Sequence, residues 1–256
     1  ENNGNILINR DFKYYDEVIK YSKNLKNINI ITYGITILSD ISLVNRKIMD
    51  RGQLITAIAY GKTYTYKVNY DGLHQAINSL AVLGALLITK CDVEHGIKKL
   101  YNSVIPIGRG NRHSIIIEGK KSLLIDDSYN ANPSSVTASL KSLKEIAGKN
   151  RKVLILGEMG ELGKFSLALH KNIYNYLISI DINLVIFVGK NTKDLYNLSK
   201  STIECTWLES SDKIVRKDIM QLIKPMDTIL VKGSRYMKME LIIKFLIDKF
   251  KIKASK

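Results

Sequence analysis

The chain has 256 residues, 45% hydrophobic and 25% charged, with a formal net charge of +15 at pH 7. That length allows one or two domains with buried cores, and the composition is that of a soluble globular chain rather than a disordered or fibrous one. The longest apolar or glycine run, Leu80 to Ile88, is too short to span a bilayer, and no basic-then-apolar signal segment opens the chain, so a cytoplasmic protein without membrane insertion is expected.

Cys91 and Cys205 are isolated, and His74, His95, His113 and His170 are scattered, so neither a disulfide framework nor a metal site is suggested. The positive charge admits a nucleic-acid partner. Its lysines are spread along the whole chain without an arginine cluster, however, and the expectation is no nucleic acid. Glu1 stands where a start methionine would, and a strand follows almost at once, which suggests a piece of something longer.

A strand is predicted at Ile6 to Asn9, then a helix over about 12–26 with Tyr15, Val18, Ile19 and Ser22 on one side. Ile28 to Gly34 is a second strand. Three β-rich stretches follow, Ile41 to Ile48, Gln53 to Ala59 and Thr63 to Val68, the last two joined at Tyr60-Gly61-Lys62 as an antiparallel hairpin. From Gly72 a helix carries Leu73, Ile77, Leu80, Leu83 and Leu87, and is apolar nearly all round from Ala81, which predicts burial. A shorter helix runs from Asp92 to Tyr101, and Pro106, Gly108 and Gly110 mark a linker.

Strands at His113 to Ile117 and Leu123 to Ile125 come next. Asn132 reads as an N-cap and Pro133 as the first residue of a helix over 133–147. Strands at Val153 to Leu156, Leu184 to Val188, Ile203 to Leu208 and Ile229 to Val231 then alternate with helices at 166–178, 194–198, 212–223 and 237–250. Repeated βα units predict a Rossmann-like, mostly parallel sheet with flanking helices, preceded by a mixed-sheet α/β unit.

Four stretches carry unusual polar residues. In IDDSYNANP, Ile125 to Pro133, Asp127 suits a ribose, with Ser128, Asn130 and Asn132 beside it; alternatively Asp126 and Asn132 only build a turn and a cap. LGEMGELG, Leu156 to Gly163, lacks G-x-G-x-x-G spacing, and Glu158 and Glu161 would repel a pyrophosphate, so it is not read as a dinucleotide loop. VKGSR, Val231 to Arg235, sets Lys232 and Arg235 around a turn, either as an anion site or as a solvated pair. GLHQAIN puts His74 and Asn78 on one helix face.

Together these motifs, in this order and spacing, resemble the Mur ligase family of peptidoglycan synthesis. Within it the chain looks most like the members that add D-alanyl-D-alanine to UDP-N-acetylmuramoyl-tripeptide. The resemblance implies that residues 1–108 are the C-terminal portion of a central ATPase domain, and 109–256 the C-terminal Rossmann-like domain of a monomeric enzyme. It implies ATP and Mg2+ as cofactors, with the phosphate loop and Mg2+ ligands upstream of Glu1. Gly61-Lys62-Thr63 is not such a loop, because no glycine-rich loop precedes it.

By the same resemblance, Asn78 approaches the adenine, Arg109 the nucleotide phosphates and Asp127 the ribose. Tyr129, Asn130, Asn132, Ser234 and Arg235 belong to the substrate cleft. Lys232 anchors an anionic group and assists catalysis with Arg109, with no metal ligand in the set. The sequence departs from the family at Gln75, where asparagine is usual, and at Arg10-Asp11-Phe12, where an acidic pair is usual. The 256 residues alone are expected neither to ligate nor to hydrolyse ATP appreciably. The competing readings are a Mur ligase adding another amino acid, a non-catalytic nucleotide- or partner-binding module, and a basic RNA-binding protein.

Overall fold

The computed structural model describes residues 4–22, 24–160, 162–163, 166–211 and 218–250. The chain divides into two compact units, Glu1–Val104 and Ile105–Lys256.

In the first unit, described strands β1 (Gly4–Asn9), β2 (Ile28–Gly34), β3 (Ile41–Ile48), β4 (Gln53–Ala59) and β5 (Lys62–Val68) form one sheet in sequence order. β1, β2 and β3 pair in parallel, and β3, β4 and β5 antiparallel, so the sheet is mixed as expected. The β4–β5 hairpin turns on Tyr60 and Gly61, both at positive φ (48° and 78°), the primed geometry whose twist matches the strands. Helix α1 is Tyr15–Ser22, shorter than expected, because Phe12 to Tyr14 form an exposed turn whose Phe12 N–H bonds back to Asn9.

Helix α2 (Leu73–Ile88) buries Ala76, Leu80, Leu83 and Gly84 against Ile31, Ile41, Ile55 and Tyr66 of the sheet. The expectation of burial all round is corrected: Val82 is 39% exposed, and only one stripe faces the core. Helix α3 (Val93–Leu100) starts at Asp92, whose carboxylate accepts the His95 N–H.

In the second unit, β6 (Asn111–Ile117), β7 (Lys120–Asp127), β8 (Lys152–Gly157), β9 (Leu184–Val188), β10 (Cys205–Leu208) and β11 (Thr228–Lys232) make a sheet ordered β10-β9-β8-β11-β7-β6. Only the β6–β7 pair is antiparallel among the described strands, so the sheet is mostly parallel as expected. Helices α4 (Pro133–Ala147), α5 (Ser166–Ser179) and α6 (Lys193–Ser199) cover one face through Val136, Leu140, Ile173, Leu177 and Leu195. Helices α7 (Asp218–Leu222) and α8 (Glu240–Lys249) cover the other through Ile219, Ile242, Ile243 and Leu246. Alternate strand residues feed the two cores: Leu154 and Leu156 point to one, Val153 and Ile155 to the other.

The helix expected at 212–223 is present from Asp218; residues 212–217 lie outside the described residues. The one expected at 237–250 begins at Glu240, after a 3-10 turn at Arg235–Met237. β10 begins at Cys205 rather than Ile203. Among the described residues, no helix is long and apolar enough to cross a membrane.

Candidate functional site

The chain leaves β7 for α4 on one face of the second sheet and leaves β11 for α8 on the other, although the two strands are neighbours. Their carboxyl ends therefore open a crevice between diverging loops, the place where open α/β sheets hold ligands. In register, Lys232 at the end of β11 lies opposite Asp127 at the end of β7.

The two adjacent aspartates do different work. Asp126 is buried, and one of its oxygens accepts the Ser128 N–H at 3.1 Å and the Ser128 hydroxyl at 2.5 Å, so it builds the turn. Asp127 Oδ2 accepts from Lys232 Nζ at 2.8 Å and from the Ser139 hydroxyl of α4 at 2.5 Å. Its other oxygen has no hydrogen-bond partner among the described residues, and the side chain is 21% exposed. One oxygen is anchored and one is open to accept a hydroxyl.

Lys232 is 3% exposed and gives a second hydrogen bond to the Asn130 carbonyl at 2.9 Å. Its ammonium is thus engaged by protein atoms, and the side chain ties β11 to the loop after β7. Asn132 caps α4: its Oδ1 accepts the Ser135 N–H at 2.8 Å while its own N–H donates to the Ser135 hydroxyl, a capping box. Asn130 is exposed, and its Oδ1 accepts the Ala131 N–H. Ser234, 3% exposed, donates to the Ala131 carbonyl and accepts the Gly160 N–H at 2.7 Å, joining three loops.

Around this frame stand the exposed groups. The Arg109 guanidinium lies 4.4 Å from the Tyr129 ring centroid, and that of Arg235 5.9 Å from the same ring. Gly108 makes this approach possible: its φ is +78°, and a Cβ there would stand 2.9 Å from the Tyr129 nitrogen. Arg235 also pairs with Glu240 at 3.1 Å.

Sequence reasoning missed Ser139, a polar residue on the buried stripe of α4, and the set Glu158, Asn191 and Tyr236. Glu158 is buried and turned into hydrogen bonds with the other two. Burial, together with Glu158, pushes the Tyr236 phenol up to about 12. Glu161 lies outside the described residues.

Asn78 belongs to the first unit, exposed on α2, with its amide donating to Gln75 at 3.3 Å. In that unit Asp11 bonds the Ile35 N–H and the Thr36 hydroxyl, closing the ends of β1 and β2 together. Among the described residues no cluster of three or more His, Cys, Asp or Glu is placed to hold a metal, and none is assigned to Mg2+.

Residues 111–235 match the family model described as "Mur ligase, glutamate ligase domain". That part of the chain is a Mur ligase C-terminal domain. A UDP-N-acetylmuramoyl-tripeptide--D-alanyl-D-alanine ligase of Rickettsia prowazekii is 29% identical over 93% of this chain and 52% of its own length. The ligase of the same name from Buchnera aphidicola subsp. Baizongia pistaciae is 31% identical over 97% of the chain and 52% of its own length. The MurF structure from Acinetobacter baumannii superposes with a TM-score of 0.81 at 21% identity, covering 95% of this chain and 51% of that one. MurF of Thermotoga maritima, solved in complex with ADP, gives 0.78 at 20% identity over 97% and 54%. The chain therefore shares their fold, and it spans about half the length of the relatives it matches.

Proposed function

We propose that this chain contributes the Asp127–Lys232 crevice to an ATP-dependent ligase that joins D-alanyl-D-alanine to UDP-N-acetylmuramoyl-tripeptide in the cytoplasm. The observation that carries the reading is identity of 29% and 31%, across nearly the whole chain, to two ligases of that name. In such a reaction the tripeptide carboxylate attacks the γ-phosphorus of ATP and ADP leaves. The dipeptide amine then attacks the acyl phosphate and releases phosphate, so cations must offset charge on the transferred phosphoryl group.

In this reading the residues take the following roles. Asp127 accepts a ribose hydroxyl on its open oxygen, and Asn78 meets the adenine. Arg109, exposed and stacked on Tyr129, reaches nucleotide phosphates. Tyr129, Asn130, Asn132, Ser234 and Arg235 line the peptide side. Lys232, with its ammonium on Asp127 and Asn130, holds the ribose acceptor in place and acts on the phosphoryl group only through that frame. Mg2+ would supply Lewis-acid stabilisation of the phosphates, and no ligand among the residues named above is assigned to it. Residues 1–108 act as part of the ATP-binding domain and 109–256 as the closing domain, in a monomeric enzyme.

The test measures phosphate release that needs both UDP-tripeptide and D-alanyl-D-alanine. The chain is assayed alone and mixed with a separately made segment of the Rickettsia relative that it does not cover. Release is expected only from the mixture. Release by the chain alone would overturn its dependence on a second segment; tight ATP binding with no release in either sample would favour a non-catalytic nucleotide-binding module, which the absence of a G-x-x-x-x-G-K-[ST] loop from this sequence also permits.

A further inference from the structure

We infer that Glu158 is the positioning residue for Arg235, fixing the backbone on both sides of that guanidinium through Ser234 and Tyr236. The inference deepens the proposed ligand role of Arg235 and rests on it for its functional arm.

Glu158 follows β8, which lies between β9 and β11, and it is 7% exposed. Its carbonyl accepts the Ser234 N–H at 2.9 Å. Its carboxylate accepts the Tyr236 hydroxyl at 2.8 Å on Oε2, where the Asn191 side-chain amide also donates at 2.7 Å. Oε1 accepts the Asn191 backbone N–H at 3.1 Å. One residue therefore grips positions 234 and 236 and leaves Arg235 between them, exposed.

Three features argue that this is more than loop packing. A carboxylate this buried is held here by uncharged donors, and no cation pairs with it among the described ion pairs, an arrangement that costs more than a neutral acceptor unless its charge and geometry are needed. The donors also demand an acceptor at both oxygens. A glutamine offers one acceptor oxygen where the carboxylate offers two: with its NH2 toward the Oε2 donors it gives up accepting from Tyr236, and with its NH2 toward the Asn191 N–H it loses the bond that orients the side chain, while the backbone bond to Ser234 stays in both. The surroundings are shaped to admit the carboxylate: Gly189 sits at φ +104°, and a Cβ there would collide with Oε1.

Above this grip, Ser234 bonds Ala131 and Gly160, and the Arg235 guanidinium lies over Tyr129. The position of Arg235 beside Tyr129 is thus set from below by Glu158, on a neighbouring strand's loop.

The experiment uses the 256-residue chain. Nuclear Overhauser contacts between the Tyr129 ring and the Arg235 side chain report their approach, phenol titration of Tyr236 reports its bond to Glu158, and D-alanyl-D-alanine is titrated as the ligand probe. Glu158→Gln should lose the Tyr129–Arg235 contact and bring the Tyr236 titration down from about 12 toward the ordinary 10.0. It should weaken dipeptide binding by about fivefold or more, as should Arg235→Gln through loss of a charge-assisted bond. A folded Glu158→Gln variant that keeps the contact overturns the inference. Should that variant not fold, Tyr236→Phe decides, since it keeps the carboxylate and removes one side of the grip: a weakened contact supports the positioning role, and an unchanged one overturns it. If the wild-type chain binds no dipeptide while the contact still responds to Glu158→Gln, the positioning role stands and the ligand assignment of Arg235 falls.

Discussion

Lys232 and Asp127 are register partners on adjacent parallel strands, 105 residues apart in sequence, and their charged atoms meet at 2.8 Å. The ammonium is almost fully buried and the carboxylate mostly so. Removing one partner of such a pair leaves the other without compensation, which costs on the order of 3 kcal/mol. Lys232→Met should lower the unfolding free energy by roughly that amount in urea denaturation. Adding Asp127→Asn should recover part of it, so that the double variant is less destabilised than the sum of the singles. Additive losses would mean that the pair contributes nothing as a pair.

Asn132 separates two roles that its position allows. As the cap of α4, its loss in Asn132→Ala should cost about 1 kcal/mol, and Asn132→Ser should restore most of that, because serine caps as well. If Asn132 also contacts the peptide, Asn132→Ser keeps the stability of the wild type and still weakens D-alanyl-D-alanine binding. Wild-type binding by the serine variant would leave it as a cap alone.

Much of the fold could be read from local pattern. Strand-helix alternation after residue 110, the hairpin at Tyr60-Gly61 and the cap at Asn132 are set by residues within a few positions of one another, and the structure has each. The contacts that define the crevice are not local. Which loops meet depends on β11 inserting between β7 and β8, and the spacing of apolar residues in a strand carries nothing about its neighbours. Hence Asp127 and Lys232 could be singled out separately, yet not as a pair, and the 33-residue separation of Glu158 and Asn191 hid their bond altogether. The overestimate of burial in α2 has a related cause: a helix apolar all round is only as buried as the sheet beneath it is wide, and Val82 falls on the side away from it.

At the other end of β11, Asp227 is fully buried, with Oδ2 accepting from Arg151 at 3.0 Å and from the Lys224 N–H at 2.8 Å. Burial raises its carboxyl above the ordinary 3.8, opposed in part by the Lys224 N–H and the Arg151 charge. The folded chain thus holds this proton more tightly than the unfolded chain does. Stability drawn from it is complete below 3.8 and is lost as pH rises through the raised folded value, then level above it. The difference in unfolding free energy between wild type and Asp227→Asn should fall with rising pH across that window and be flat at neutrality. A difference that rises with pH there would mean that Arg151 outweighs burial.

Tyr129 offers its ring, with its hydroxyl unbonded among the described residues, to two guanidiniums at 4.4 and 5.9 Å. Contacts of this kind at exposed sites contribute about 0.5–1 kcal/mol, with the longer one at the edge of the useful range. The ring therefore draws both guanidiniums to one side chain, and an anion bound to either would offset the positive charge gathered there. Tyr129→Phe keeps the ring and should bind ATP as the wild type does. Tyr129→Ala frees both side chains and should weaken ATP binding by roughly fivefold, the equivalent of about 1 kcal/mol, with little change in thermal stability because the residue is 43% exposed. The measurement is calorimetric titration of ATP into the three proteins at one ionic strength, repeated at higher salt. Arg109→Ala should reproduce the loss and make Tyr129→Ala silent on top of it, since the ring acts only through the guanidinium. Equal losses in the phenylalanine and alanine variants would instead place the hydroxyl, and not the ring, against the ligand.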